Sequence, residues 1–126
     1  MLTLIRLLVI GGTIALCAHP AAGQQLYPAK PIKILVGFPP GGGLDFTTRL
    51  IAPYLSEGLG QPVIVENKPG AAGMVALAEV ARSAPDGYTL IVGNIGPLAL
   101  APNMMAKPPY DPVKDFTAIG PIQSTP

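Results

Sequence analysis

Residues 32–46 carry the sequence IKILVGFPPGGGLDF, which contains the clearest signals of secondary structure in the chain. The first five residues form a short, mostly β-branched run bounded by Pro31 and Gly37, which predicts a buried strand. Prolines and glycines dominate the next seven residues, so the strand cannot continue and a loop is predicted. A strand that ends in a glycine-rich loop before a helix is typical of α/β proteins.

Asp45 opens the helical stretch, which runs to about Glu57. Within it Phe46, Leu50 and Tyr54 recur at i, i+4 and i+8. This spacing predicts one apolar face that packs against the core.

The same order of elements repeats along the rest of the chain. The pattern predicts strands at residues 63–67, 89–93 and 116–122, the last only begun before the chain stops, and helices at residues 74–83 and 98–104. Alternating strands and helices predict a parallel sheet covered on both faces. In such sheets ligands bind at the carboxyl ends of the strands, where the predicted loops meet.

These loops are rich in glycine, proline, alanine and asparagine, so they offer mainly backbone donors. Gly41, Gly42 and Gly43 precede a helix, whose N-terminal amides and dipole favour an anion such as a carboxylate. Asp45 is expected to cap that helix. The alternative is that the three glycines only form a tight turn. The run matches neither a Walker loop nor a GxGxxG fingerprint, so nucleotide binding is poorly supported.

The other two loops give weaker signals. Residues 70–73 also lead into a helix, which allows either a second anion-facing N-terminus or simple helix–sheet packing. Asn94 offers an amide to a ligand, although asparagine in a turn often bonds the local backbone. Phe38 is a candidate for an apolar ligand wall or for the core.

The first 23 residues resemble an export signal. An apolar run with the single charge Arg6 is followed by Ala21, Ala22 and Gly23, which predicts a signal peptide at residues 1–23 with cleavage after Gly23. An uncleaved anchor remains an alternative. Lipid attachment at Cys17 is disfavoured by the bulky Leu16 before it.

Cleavage would remove the only cysteine and the only histidine, Cys17 and His19. The remaining segment then has no residues for a zinc site, a disulfide or a Ser–His pair, and we predict no catalytic residue, metal or cofactor. Arg6 is one of eight basic residues, so seven basic and seven acidic side chains remain. This balance argues against a nucleic-acid partner. An exported enzyme would need a catalytic group beyond Pro126.

Five blocks of the chain are similar to one known family. They are YPAKPI (27–32), FPPGGGLD (38–45), LGQPVIVENKPGAAG (59–73), APDGYTL (84–90) and PYDPVKDF (109–116). In this order they resemble the receptors of tripartite tricarboxylate transporters, also called TctC-type or Bug receptors. The blocks cover nearly all of residues 24–126.

The resemblance implies a periplasmic, monomeric receptor with a fold like that of type II periplasmic binding proteins. Its two lobes, three-layer α/β units with mostly parallel sheets, would close on a small di- or tricarboxylate or related organic acid and present it to membrane permease subunits. Residues 24–126 would form a truncated first lobe, with the second lobe missing. Alternatives are a sensor protein that serves a kinase and a nonfunctional remnant.

The resemblance also implies the ligand-binding residues. They are Phe38, Pro39, Pro40, Gly41, Gly42, Gly43, Leu44, Asp45, Ala71, Ala72, Gly73, Asn94 and Ile95. Position 44 departs from the family, which usually has Thr or Ser there. The missing hydroxyl is expected to shift ligand choice toward less polar acids.

Overall fold

The computed structural model describes residues 26–124 and contains one parallel sheet. Its strands are β1 (Ile32–Val36), β2 (Val63–Asn67) and β3 (Thr89–Val92). The strand order is β2-β1-β3, and β1 pairs in parallel with both neighbours. The predicted parallel α/β architecture is therefore confirmed.

Two helices connect the strands. Helix α1 (Gly43–Leu59) links β1 to β2 and packs on both, whereas α2 (Met74–Arg82) links β2 to β3 and packs on β3 and β1. The connection from β1 to β2 and the connection from β2 over β1 to β3 run in opposite directions along the sheet, and crossovers of parallel strands are right-handed. The two helices therefore cover opposite faces of the sheet.

Shorter helical turns follow the loops. A 3₁₀ turn at Ala71–Gly73 precedes α2, and a π-helical turn at Gly96–Leu100 runs into α3 (Ala101–Met104) after β3. The predicted helix at residues 98–104 is confirmed with an earlier start. The other predicted helices and strands begin and end within two residues of the observed bounds. The predicted strand at residues 116–122 is the exception.

The core lies around β1 and the inner face of α2. Ile32, Leu35 and Val36 are fully or almost fully buried, because β1 is the central strand and has a helix on each face. A second cluster joins Leu77 and Ala78 to Tyr110, and residues packed against it include Met74, Ala81, Ile91, Leu98 and Phe116. The rings of Tyr110 and Phe116 meet edge to face at 5.7 Å.

The prediction that the apolar face of α1 packs against the core is wrong. Phe46, Leu50 and Tyr54 are 67%, 56% and 72% exposed. The buried residues of α1 are Asp45, Thr48 and Ala52, which lie on another face of the helix. Small and hydrogen-bonded side chains let the helix approach the sheet closely, and Thr48 bonds the carbonyl of Leu44.

The predicted fourth strand is also wrong. Residues 116–122 form no strand, and Ile119 is 81% exposed. Within the described residues β3 pairs only with β1, so its outer edge is free and residues 116–122 do not occupy it. Gly120 and Pro121 interrupt this run, and proline cannot donate to a ladder.

The predicted signal peptide lies at residues 1–23, outside the described residues. Between residues 26 and 124, none of the helices is long and apolar enough to cross a bilayer.

Candidate functional site

The loop after β1 leads directly into the N-terminus of α1. Gly42 is the N-cap in an extended conformation, and no side chain caps the helix. Gly41 adopts a φ of +86°, which glycine reaches without strain. Within the described part of the chain, the amides of residues 42–45 donate to no intramolecular acceptor. This end of α1 therefore presents a group of free donors at the positive end of the helix dipole.

Asp45 does not cap the helix as the sequence suggested. It is the third residue of α1, and its carboxylate reaches back to accept the amide of Gly41 at 2.8 Å. Oδ1 also accepts from Asn67 Nδ2 and Arg49 Nε, each at 2.9 Å. Although Asp45 is only 3% exposed, it is fully hydrogen-bonded and belongs to the support of the loop.

These bonds set the protonation of Asp45. The amide of Gly41, and next the side chain of Asn67, hold the pKa of the Asp45 carboxyl below its ordinary value. Burial opposes this shift, and the charge of Arg49 adds to it. Asp45 is therefore ionised at neutral pH.

Sequence reasoning missed Asn67 and Arg49. Asn67 ends β2 and donates to both Phe38 O (3.1 Å) and Asp45, while Arg49 Nη2 donates to Asn67 Oδ1 at 2.8 Å. The available signal was a polar amide directly after an apolar strand, at the edge of the sheet where the loops meet. The pairing with Asp45 was not readable, because it depends on how α1 lies on β2.

The second loop packs against the first. Gly73 is buried, and a β-carbon there would lie 3.3 Å from the Phe38 ring and 3.4 Å from Pro97. Ala71 and Ala72 hold φ values of +44° and +54°, which are uncommon for residues other than glycine. The loop contacts the Phe38 ring through Gly73, so residues 71–73 lie beside the first loop and help to place it.

The third loop reaches the same region through Asn94. Asn94 follows β3, the neighbour of β1, and its carbonyl accepts the amide of Leu98 at 3.3 Å. Its side chain is exposed. Ile95 is also exposed and precedes the π-helical turn.

A pocket of about 330 Å³ joins the first and third loops. It is lined by Phe38, Pro39, Pro40, Gly42, Gly43, Leu44 and Asn94. Seven of the thirteen candidate residues thus meet in one concave surface, whereas Gly41, Asp45, Ala71, Ala72, Gly73 and Ile95 are not among its lining residues. Its walls are apolar, with backbone amides and the Asn94 amide as donors. This suits a small ligand that has one anionic end and an apolar body.

A larger pocket of about 530 Å³ lies elsewhere. Its lining consists of Pro102, Asn103, Pro108, Pro109, Tyr110, Asp111, Pro112 and Val113. The carboxylate of Asp111 already accepts from the amides of Val113 and Lys114. The larger pocket has no helix N-terminus comparable to that of α1, so the pocket at β1 and β3 is the better candidate for an anion.

Across residues 26–124, no group of three or more His, Cys, Asp or Glu side chains is arranged to hold a metal ion. The carboxylate nearest the pocket, Asp45, is engaged by Gly41, Asn67 and Arg49.

Comparisons with known proteins relate the chain to one family of receptors. Residues 47–126 match the model of the family described as tripartite tricarboxylate transporter family receptor. The chain is 39% identical over 124 residues to protein BugT of Bordetella pertussis, and the match covers 96% of this chain and 38% of BugT. The chain thus spans less than half of the length of this relative.

Solved structures show the same likeness. The periplasmic binding protein BugD matches with a TM-score of 0.68 and 38% identity, over 71% of this chain and 30% of BugD. MatC from Rhodopseudomonas palustris, solved with bound malate, matches with a TM-score of 0.69 and 43% identity, over 72% of this chain and 31% of MatC.

Proposed function

The chain belongs to the tripartite tricarboxylate transporter receptor family, and we propose that it binds a small carboxylate outside the cytoplasm. The observation that carries the proposal is the group of free amides at residues 42–45, placed at the N-terminus of α1 and at the wall of a pocket. Such amides and the helix dipole stabilise an anion without a charged side chain. MatC, a related structure, holds malate.

The first loop is proposed to bind one carboxylate group of the ligand. Gly42 and Gly43 line the pocket and leave the backbone accessible, since they have no side chain. Charge-assisted hydrogen bonds from amides to a carboxylate are about twice as strong as neutral ones. Asp45 takes no direct part, because its own negative charge is turned toward Gly41, Asn67 and Arg49.

The body of the ligand is proposed to be less polar than in most of the family. Phe38, Pro39, Pro40 and Leu44 line the pocket with apolar groups, and Asn94 is its single polar side chain. Leu44 stands where the family usually has Thr or Ser, so no hydroxyl donor is available from that position. Dicarboxylates with a plain hydrocarbon body are therefore proposed over hydroxylated ones.

The wider role follows the family. We propose an exported, monomeric receptor, cleaved after Gly23 and working in the periplasm as BugD is described to do. It would deliver its ligand to membrane permease subunits. The remaining ligand contacts are proposed to come from a second lobe, because the match covers only 30% of BugD and 31% of MatC.

The experiment is calorimetry on the full chain, isolated as the cell makes it so that any second lobe is included, with succinate, adipate and malate. Each acid is compared with the uncharged diamide of the same skeleton. Saturable binding of the acids without binding of the diamides is expected, because only the acids bring an anion to residues 42–45. Equal affinity for acid and diamide, or no binding of any acid, would overturn the proposal.

A further inference from the structure

Asn67 occupies a junction between the sheet and the first loop. It ends β2 and pairs in register with Val36, the last residue of β1. The side chain is half-buried and points to the segment that follows β1, because it bonds Phe38 and Asp45. A residue on one strand therefore touches the loop that leaves the next strand.

The side chain of Asn67 uses its amide fully. Both Nδ2 bonds are directed to different partners, Phe38 O at 3.1 Å and Asp45 Oδ1 at 2.9 Å. Oδ1 accepts from Arg49 Nη2 at 2.8 Å. Aspartate would lose both donors and add a charge beside Asp45, whereas glutamine would carry the amide one methylene too far. The position therefore requires two donors and an acceptor at the reach of asparagine.

The two partners of Asn67 bracket the candidate ligand loop. Phe38 stands at its beginning, and Asp45 stands in the first turn of α1. Asp45 in turn bonds the amide of Gly41 in the middle of the loop. A loop with three consecutive glycines has much conformational freedom to lose when its amides must converge on one anion. Holding both ends in advance lowers that loss at the moment of binding.

From this geometry we propose that Asn67 is a positioning residue: its amide bridges Phe38 and Asp45 and so holds the amides of residues 42–45 in the orientation that receives the ligand carboxylate. This inference rests on the proposed function, because its binding measurement requires that the protein binds a carboxylate. Asn67 itself is not among the residues that line the pocket. It is proposed to act through the loop and not by touching the ligand.

The test compares Asn67→Asp with Asn103→Asp in the full chain. Asn103 is an exposed asparagine that bonds the carbonyl of Ala99, far along the sequence from the loop, and supplies the same chemical change. Two quantities are measured for each: the Kd for malate and succinate by calorimetry, and the hydrogen-exchange rates of the two hydrogen-bonded amides of the loop, those of Gly41 and Phe46. Thermal unfolding of each variant checks that the fold is retained.

Asn67→Asp is expected to weaken the binding of both acids about tenfold or more and to speed exchange of the Gly41 and Phe46 amides, with β1 exchange unchanged. Asn103→Asp is expected to change neither quantity. The double variant Asp45→Asn/Asn67→Asp swaps the two side chains and keeps a single carboxylate next to Arg49. It is therefore expected to recover part of the affinity that Asn67→Asp loses.

The outcomes separate the two proposals. Unchanged affinity and unchanged loop exchange in Asn67→Asp overturn the positioning role while leaving carboxylate binding intact. Exchange that rises equally in the loop and in β1 also overturns it, since the residue would then only stabilise the fold. A wild-type chain that binds no acid overturns the proposed function, and the loop exchange still decides whether Asn67 holds the loop.

Discussion

Gly37 lies directly against Gly73. A β-carbon at Gly37 would lie 2.7 Å from Cα of Gly73 and 2.9 Å from its carbonyl oxygen. The two residues belong to the loops after β1 and β2, so this contact fixes the second loop against the first. It lets Gly73 reach the Phe38 ring, which lines the candidate pocket.

Gly37→Ala is expected to destabilise the chain by about 1–3 kcal/mol, because the new methyl group meets backbone atoms that cannot give way by rotating a side chain. Gly58→Ala is the matched control: nothing lies within 4 Å of its added β-carbon, and the residue is inside α1. This control is expected to be neutral or stabilising by up to about 1 kcal/mol. Urea unfolding of both variants measures the difference, and equal stabilities would contradict the close packing of the two loops.

The stability of the chain is expected to fall as the pH drops below about 4, in part through Asp45. Its pKa is lowered in the folded state, so the unfolded state binds more protons in this range. The contribution is fully present above the ordinary pKa of aspartate and is lost as the pH falls through the folded value. Asp45→Asn should therefore show a shallower loss of stability between pH 5 and pH 2.

Glu57→Gln is the control for this pH dependence, because Glu57 is an exposed carboxylate of the same helix. Unfolding free energies measured across the pH range should keep the wild-type slope in Glu57→Gln. An Asp45→Asn slope equal to that of the wild type would show that the Gly41 and Asn67 bonds do not depress the carboxyl pKa.

Truncation of Leu77 is expected to lower the free energy of unfolding far more than truncation of Leu50. Leu77 is 1% exposed in the core cluster, and Leu77→Ala should cost about 2–5 kcal/mol. Leu50 is exposed on α1, and Leu50→Ala should change stability by less than about 0.5 kcal/mol. Chemical denaturation of the two variants checks this, and a large loss in Leu50→Ala would mean that the outer face of α1 is covered in solution.

The contrast between these leucines shows what the sequence could predict. The strand at residues 32–36 was predicted with its bounds, because β-branched residues between proline and glycine leave few alternatives. The parallel α/β fold and the family resemblance are confirmed. The buried face of α1 was predicted wrongly, because helical spacing shows which residues share a face but not which face meets the sheet. Asp45 and Thr48 are buried there since their polar atoms find partners.

The candidate site was predictable only in part. The glycine run before a helix was a readable signal, and Phe38, Leu44 and Asn94 do meet in one pocket. Asn67 and Arg49 were missed because their role comes from contacts between β2 and α1 that sequence spacing does not encode. Whether the thirteen candidate residues bind a ligand stays a prediction.

Leu44→Thr is expected to improve malate binding relative to succinate by about twofold to tenfold, because it returns a hydroxyl donor to the pocket wall. Leu50→Thr makes the same change on the exposed face of α1 and should leave the ratio of the two Kd values unchanged. Calorimetry with both acids gives that ratio. A Leu44→Thr variant with the wild-type ratio would contradict the assignment of Leu44 to ligand selection.

In the proposed function, the N-terminus of α1 receives the ligand carboxylate. The most direct measurement is a titration of the ¹⁵N-labelled full chain with succinate, followed through its backbone amide resonances. We expect saturable shifts at Gly42, Gly43, Leu44 and Asp45, and no such shifts with the diamide of succinate. Shifts confined to the pocket beside Tyr110, or no saturable shift at residues 42–45, would contradict it.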